Sequence, residues 1–127
     1  MGYLTGKIDT NTKFDAKADL RSGFDRFSPE NIAANMPIVD LLKHFAAKKG
    51  ATPAQISLAW LIAQKPFIVS IPGTRNMDHL NENLGAVKTE LTPEDLRELD
   101  KEFAKLTVHR RRMNPMQMEY GDKKDKK

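Results

Sequence analysis

The chain has 127 residues, 39% of them hydrophobic and 30% charged, which makes it a polypeptide of single-domain size with enough apolar side chains for one core. Zero cysteines exclude a disulfide framework, thiol catalysis and a cysteine-ligated zinc or iron-sulfur centre. The formal charge of +4 owes much to the end of the chain, to Arg110, Arg111 and Arg112 and to Lys123, Lys124, Lys126 and Lys127, and shows no interleaving with aromatics of the kind a nucleic-acid face requires.

No apolar run is long enough to cross a bilayer, and the opening MGYLTGKIDT has no apolar stretch that could act as a secretory signal, so a cytoplasmic chain is expected. Residues 1–30 are polar and lack a sustained period, and they read as a long loop with a short turn. Ser28 and Pro29 then supply a helix start, with Ser28 as N-cap and proline in the first position, where no N–H is needed. Pro37 disfavours helical backbone at Met36, which predicts a kink or a fresh start there. Ile38, Leu41, Leu42, Phe45 and Ala46 follow at helical spacing, with Asp40, Lys43, Lys48 and Lys49 facing away and Gly50 as the stop.

Thr52, Pro53 and Gln55 open the next helix as a capping box. Its apolar residues form two stripes, Ile56, Ala59, Trp60 and Ala63 on one side and Leu58, Leu61 and Ile62 on another, so it expects neighbours on two faces. Trp60 reads as core. After Lys65-Pro66, the run Phe67-Ile68-Val69-Ser70-Ile71 has the composition of a strand buried on both faces, as in a parallel sheet. Pro72-Gly73-Thr74-Arg75-Asn76 reads as a tight turn into a helix with the stripe Met77, Leu80, Leu84 and Val87. A last capped start at Thr92-Pro93-Glu94-Asp95 begins a helix carrying Leu96, Leu99, Phe103 and Leu106. The final seven residues have no apolar side chain and read as a solvated, partly disordered end.

Helix, buried strand, turn and helix make an α/β unit, but one strand cannot satisfy its own edges. The chain is therefore expected to be the end of a larger fold. Its chemistry concentrates in the turn after Ile71. Gly73 would let the backbone approach a ligand, the first free amides of the helix with the Thr74 hydroxyl would hold an anion at the positive end of the dipole, and Arg75 offers a planar fork for phosphate. The same residues also have plain structural roles. Thr74 or Asn76 can be the N-cap and Arg75 a solvated charge.

The segment from Ile71 to Asn83 resembles the I-P-G-T-x-x-x-x-x-L-x-E-N pattern of aldo-keto reductases, and it follows an A-W-L-x-A-Q-K-P-x-I-V unit like theirs. Gly2-Tyr3-Leu4-Thr5-Gly6-Lys7 resembles the loop after that family's seventh strand, and Phe27-Ser28-Pro29-Glu30-Asn31 is similar to the segment beyond it. The resemblance covers residues 1–107, with 108–127 as a basic tail. It implies a β/α barrel of which this chain is a partial, mostly helical piece, with Phe67–Ile71 as the eighth strand. It implies NADP(H) as cofactor, with Gly73, Thr74, Arg75 and His79 on the 2′-phosphate, Glu82 and Asn83 at the ribose and adenine end, and Leu4, Gly6 and Lys7 over the pyrophosphate.

His79 stands where arginine or glutamine is common in the family, and it also reads as a solvated or capping side chain. Glu82 and Asn83 read equally as helix-surface residues and Lys7 as a loop charge. The family's proton-donating tyrosine, with its lysine, aspartate and histidine, has no counterpart here. Tyr3 and Tyr120 match neither its position nor its context, and no catalytic residue is assigned. His44 and His109 match no functional position, and no metal site is expected. The implied role is the cofactor-gripping part of a carbonyl reductase, inactive alone. The alternative is a non-catalytic helical chain that self-associates through exposed apolar helix faces or acts as an interaction module.

Overall fold

A computed structural model describes residues 1–109, so the basic run from Arg110, Tyr120 and the polar tail lie outside the described residues. Four α-helices are formed there and no strand: α1 (Pro29–Lys49), α2 (Pro53–Ala63), α3 (Met77–Gly85) and α4 (Pro93–Phe103). The chain divides into two packing units, one of Met1, Ile8–Met36 and the chain from Val108, the other of Gly2–Lys7 with Pro37–Thr107.

In the first unit the expected loop is more ordered than its composition suggested, because acidic side chains close successive turns on their own backbone. Asp9 accepts from the Asn11 N–H at 3.0 Å, Asp15 from Lys17 at 2.8 Å and Asp19 from Arg21 at 3.0 Å. The last of these starts a 3₁₀ turn at Leu20–Gly23. The Arg21 guanidinium, hydrogen-bonded to Asp19, holds that carboxyl at about 2 and lies 4.7 Å from the Phe14 ring centre. Phe14 meets Phe27 edge-on at 5.2 Å, and Phe27, Ile32 and Ile8 are buried. Ser28 caps α1 as expected, accepting from the Asn31 N–H at 3.3 Å. Buried Asn35 grips the far end of the described chain, donating to the His109 carbonyl at 3.0 Å and accepting its N–H at 2.8 Å.

The fresh start expected as one outcome at Pro37 does not occur, and α1 is one helix through it. Proline removes the N–H that would bond the carbonyl four residues earlier, that of Ala33, and both Ala33 and Pro37 are exposed, so the loss falls on the solvent side of the helix.

The second unit carries a core of Leu42, Phe45 and Ala46 from α1, Ile56 from α2 and Leu99 from α4, with Trp60 and Leu91 packed against it. Both capping boxes form. Thr52 accepts from the Gln55 N–H at 3.2 Å while Gln55 accepts from Thr52 at 3.0 Å. Thr92 and Asp95 do the same at 3.2 and 2.8 Å. Gly50 ends α1 at φ 61°, a left-handed conformation suited to glycine. Lys48 and Lys49, read as facing away, in fact reach α4. Lys49 pairs with the buried Asp95 and Lys48 with Glu98 at 2.7 Å, their stems lying along the helix surface while the ammonium groups find carboxylates. Trp60 is half-buried, and its indole N–H donates to Asp100 at 2.8 Å.

The expected strand is not formed. Phe67 lies in a turn closed by the Ile68 N–H on the Lys65 carbonyl at 3.0 Å, and residues 68–71 have no regular structure, since no second segment among the described residues offers its edge to them.

Candidate functional site

The family-like loop at Leu4–Lys7 and the start of α3 belong to the same packing unit. A 3₁₀ turn at Tyr3–Thr5 is flanked by Gly2 and Gly6 at φ 83° and 74°, both in the left-handed region. A Cβ on Gly6 would also stand 3.3 Å from the Lys43 Cε of α1, so both backbone angle and space favour glycine there. The turn packs against α2. On leaving it, Lys7 brings its Nζ to 3.4 Å from His79 Nε2 on α3. An ammonium only donates, so this contact needs the imidazole tautomer with its proton on Nδ1.

At the head of α3, Asn76 is extended at φ −106° and ψ 127°, and its Oδ1 accepts from the N–H groups of Asp78 at 2.8 Å and His79 at 3.1 Å. Thr74 Oγ1 accepts from the Asn76 N–H at 3.1 Å. Of the two candidate caps, Asn76 takes the role, and these two helix amides are occupied by it. An anion can use them only by displacing the Asn76 amide, which leaves the side chains of Lys7, Arg75 and His79 as the directly available donors. Gly73 has open space where a Cβ would be and no left-handed φ, so it supplies room rather than a special turn.

Gly73, Thr74, Arg75 and His79 are all exposed, as are Leu4 and Lys7, while Glu82 and Asn83 are half-buried further along α3. The structure thus brings Lys7 to His79 directly, while Thr74 and Arg75 precede the Asn76 cap and His79 follows it in the first turn of α3. It links neither the Glu82 carboxylate nor the Asn83 amide to that cluster by a hydrogen bond. As a donor set these side chains suit a phosphate: the Lys7 ammonium, the Arg75 guanidinium, the His79 imidazole and the Thr74 hydroxyl, with Asp78 in the first turn of α3 opposing them. The described residues contain no group of three metal-capable side chains. Burial, with the Asp40 carboxylate nearby, pushes the Tyr3 hydroxyl above its ordinary range, which makes it a poorer proton donor than a free tyrosine.

One residue that positions this site escaped the sequence reading. Gln55 uses its Oε1 for the cap of α2, and its Nε2 donates at 2.9 Å to the carbonyl of Glu82, tying α2 to α3. The available signal was the choice of glutamine over glutamate at the third position of a capping box, since only the amide keeps a donor to spare. Gly85 makes room for that amide: a Cβ there would lie 2.3 Å from Gln55 Nε2.

Comparison with known proteins bears on this arrangement. The sequence model of the Aldo/keto reductase family matches residues 1–102. Over 95 residues the chain is 38% identical to the aldo-keto reductase str7 of Strobilurus tenacellus, and over 98 residues it is 37% identical to the NADP(+)-labelled aldo-keto reductase yakc of Schizosaccharomyces pombe. These alignments take in 75% and 77% of this chain and 28% of each relative, so the chain spans little more than a quarter of the curated relatives it matches.

Proposed function

Because the chain belongs to the aldo/keto reductase family, we propose that it forms the cofactor-gripping, C-terminal portion of an NADP(H)-dependent enzyme that reduces carbonyls to alcohols. NADP(H), when bound, supplies the hydride of that reaction. The task of this chain is to hold the nucleotide's phosphates. Arg75 would present its guanidinium fork to the adenosine 2′-phosphate, with Thr74 and His79 adding hydrogen bonds and Gly73 leaving the approach open. Lys7, with Leu4 and Gly6 shaping its loop, would lie over the pyrophosphate, and Glu82 and Asn83 would meet the ribose and adenine end.

The observation that carries the reading is the 3.4 Å approach of Lys7 Nζ to His79 Nε2 across 72 residues of sequence. Two residues that the family pattern assigns to one dinucleotide thus stand side by side on separate elements. The scaffold behind them, the glycine-flanked turn on α2 and the Gln55 tie to Glu82, is built from this chain's own residues.

Fluorescence titration with NADPH, with 2′-phosphoadenosine as competitor, tests the proposal. Saturable binding is expected, weaker for NADH, and Arg75→Ala should weaken NADPH by roughly tenfold or more, the worth of a charge-assisted phosphate contact. Identical curves for NADPH and NADH, or no saturation at millimolar nucleotide, would overturn it. No proton donor is assigned to this chain, so it should not turn over a simple aldehyde alone; turnover would refute that part of the reading.

A further inference from the structure

Helix α2 supports both partners of the contact between Lys7 and His79. On one side it packs against the turn at Tyr3–Thr5. Thr5 Oγ1 donates to the Gly2 carbonyl at 2.6 Å and accepts from the Lys7 N–H at 3.3 Å, so the lysine leaves a turn closed by a side chain of its own and flanked by two left-handed glycines. On the other side Gln55 of α2 donates to the Glu82 carbonyl of α3, and at the head of that helix the His79 N–H is held by Asn76 Oδ1 at 3.1 Å. The backbones that carry the two side chains are thus each tied down by this chain's own bonds, and the 3.4 Å approach of Lys7 Nζ to His79 Nε2 joins two anchored positions.

An ammonium has three N–H groups and no lone pair, so Lys7 can only donate and Nε2 must accept. The ring in that contact is neutral, its proton sits on Nδ1, and Nδ1 is the one donor it offers to an anion. Given the cofactor role proposed above, on which this rests, we propose that Lys7 is a positioning residue for recognition of the 2′-phosphate: by occupying Nε2 it holds His79 in the tautomer whose Nδ1–H is ready to donate, and so sets the preference for the phosphorylated nucleotide from outside that subsite. Without Lys7 the neutral ring divides its proton between the two nitrogens and is no longer pre-set for the phosphate.

One N–H of Lys7 goes to His79 and two remain for phosphate oxygens, so the lysine can serve the pyrophosphate as well. The pyrophosphate is common to NADPH and NADH. A lysine that only held it would favour both nucleotides equally, whereas a lysine that also sets the His79 donor favours NADPH more. The charge of Lys7 acting at a distance on the 2′-phosphate would favour NADPH too, but it would do so with or without His79. A double-mutant cycle over the two residues separates these cases.

Fluorescence titrations of the chain with NADPH and with NADH give the ratio of the two dissociation constants. Lys7→Met should reduce the preference for NADPH by roughly three- to tenfold, the span of one hydrogen bond's net worth. Lys7→Arg, which keeps a donor for Nε2, should retain most of it. In the His79→Ala background, Lys7→Met should leave the ratio unchanged. Imidazole nitrogen shifts in NMR read the tautomer with no nucleotide present, at about pH 8.5, where imidazoles are neutral and lysines charged. The chain has three histidines, and the signal lost in His79→Ala identifies the ring concerned. Its Nδ1–H form should dominate in the parent chain and give way to a mixture in Lys7→Met. An unchanged tautomer in Lys7→Met, equal weakening of NADPH and NADH, or the same fall in the ratio with and without His79 would overturn the proposal and leave the cofactor role in place. A parent chain with no preference for NADPH would overturn both.

Discussion

Within one packing unit the same kind of sequence pattern has two different outcomes. The stripe of Leu42, Phe45 and Ala46 finds Ile56 and Leu99 and becomes a closed core, whereas the stripe of Met77, Leu84 and Val87, with Phe67, Val69 and Ile71, remains exposed. Apolar periodicity specifies a face; a fold follows only where a complementary face is available. On the closed side, a helix also finds its caps and ion pairs within the chain. On the open side, α3 carries a side-chain cap, an amide tie to α2 and the contact of Lys7 with His79, and it leaves Met77, Leu84 and Val87 exposed.

The sharpest way to break this contrast is to remove the centre of the closed side. Phe45 is fully buried, and Phe45→Ala should cost about 3–5 kcal/mol by lost transfer energy and the cavity left behind. Urea unfolding at a dilution where the chain is monomeric measures it, and a loss below about 1 kcal/mol would mean that the core is not the centre of stability.

Asp95 gives the next effect, through pH. Its hydrogen bond from Lys49, with those from Thr92, lowers its carboxyl from the ordinary 3.8 to about 2. The folded value lies below the unfolded one, so the linked stability is fully present above about pH 4 and is lost as pH falls toward 2. Asp95→Asn keeps much of the cap's shape and removes the charge facing Lys49. It should cost about 1–2 kcal/mol at neutral pH, discounted because Lys49 is partly exposed, and should flatten the acid limb of the stability curve. An unchanged acid limb would show that other carboxylates control it.

What could be read in advance follows the same division. Thr52 with Gln55, Thr92 with Asp95, Ser28 before Pro29 and Gly50 at a helix end are local signals, complete within a few residues, and the structure forms each of them. The strand at Phe67–Ile71 was misread because its composition describes an environment, a sheet on both edges, rather than a local conformation. At Pro37 a fresh start was one expected outcome and the helix is continuous, because the missing N–H falls on the exposed side of α1. The pairing of Lys49 with Asp95 and the grip of Asn35 on His109 join residues far apart in sequence, and no periodicity announces them. At the site, the family pattern pointed to Lys7 over the pyrophosphate and to His79 at the 2′-phosphate, and the contact between the two was no part of that reading; nor was the occupation of the α3 amides by Asn76, since Thr74 and Asn76 were equivalent candidates by composition.

Gln55 tests the join between the two sides. Gln55→Glu preserves the acceptor that caps α2 but replaces the amide donor with a carboxylate oxygen facing the Glu82 carbonyl. The loss should be about 1 kcal/mol in urea unfolding, the net worth of one hydrogen bond. Hydrogen exchange should quicken in α3 more than in α2, because the cap is kept and only the tie is lost. Equal acceleration in both helices would show that the glutamine serves the cap alone.

The smallest effects belong to the open side. Phe67→Ala deletes a ring that is 79% exposed, so in the monomer it forfeits little burial and should change stability by less than about 0.5 kcal/mol, against several for Phe45→Ala. The same residue type thus gives opposite answers at positions 45 and 67, and the difference measures how much of the chain's apolar surface is already used. A large cost at Phe67 would mean that the ring packs against the rest of the chain, and the division between a closed and an open side would no longer hold.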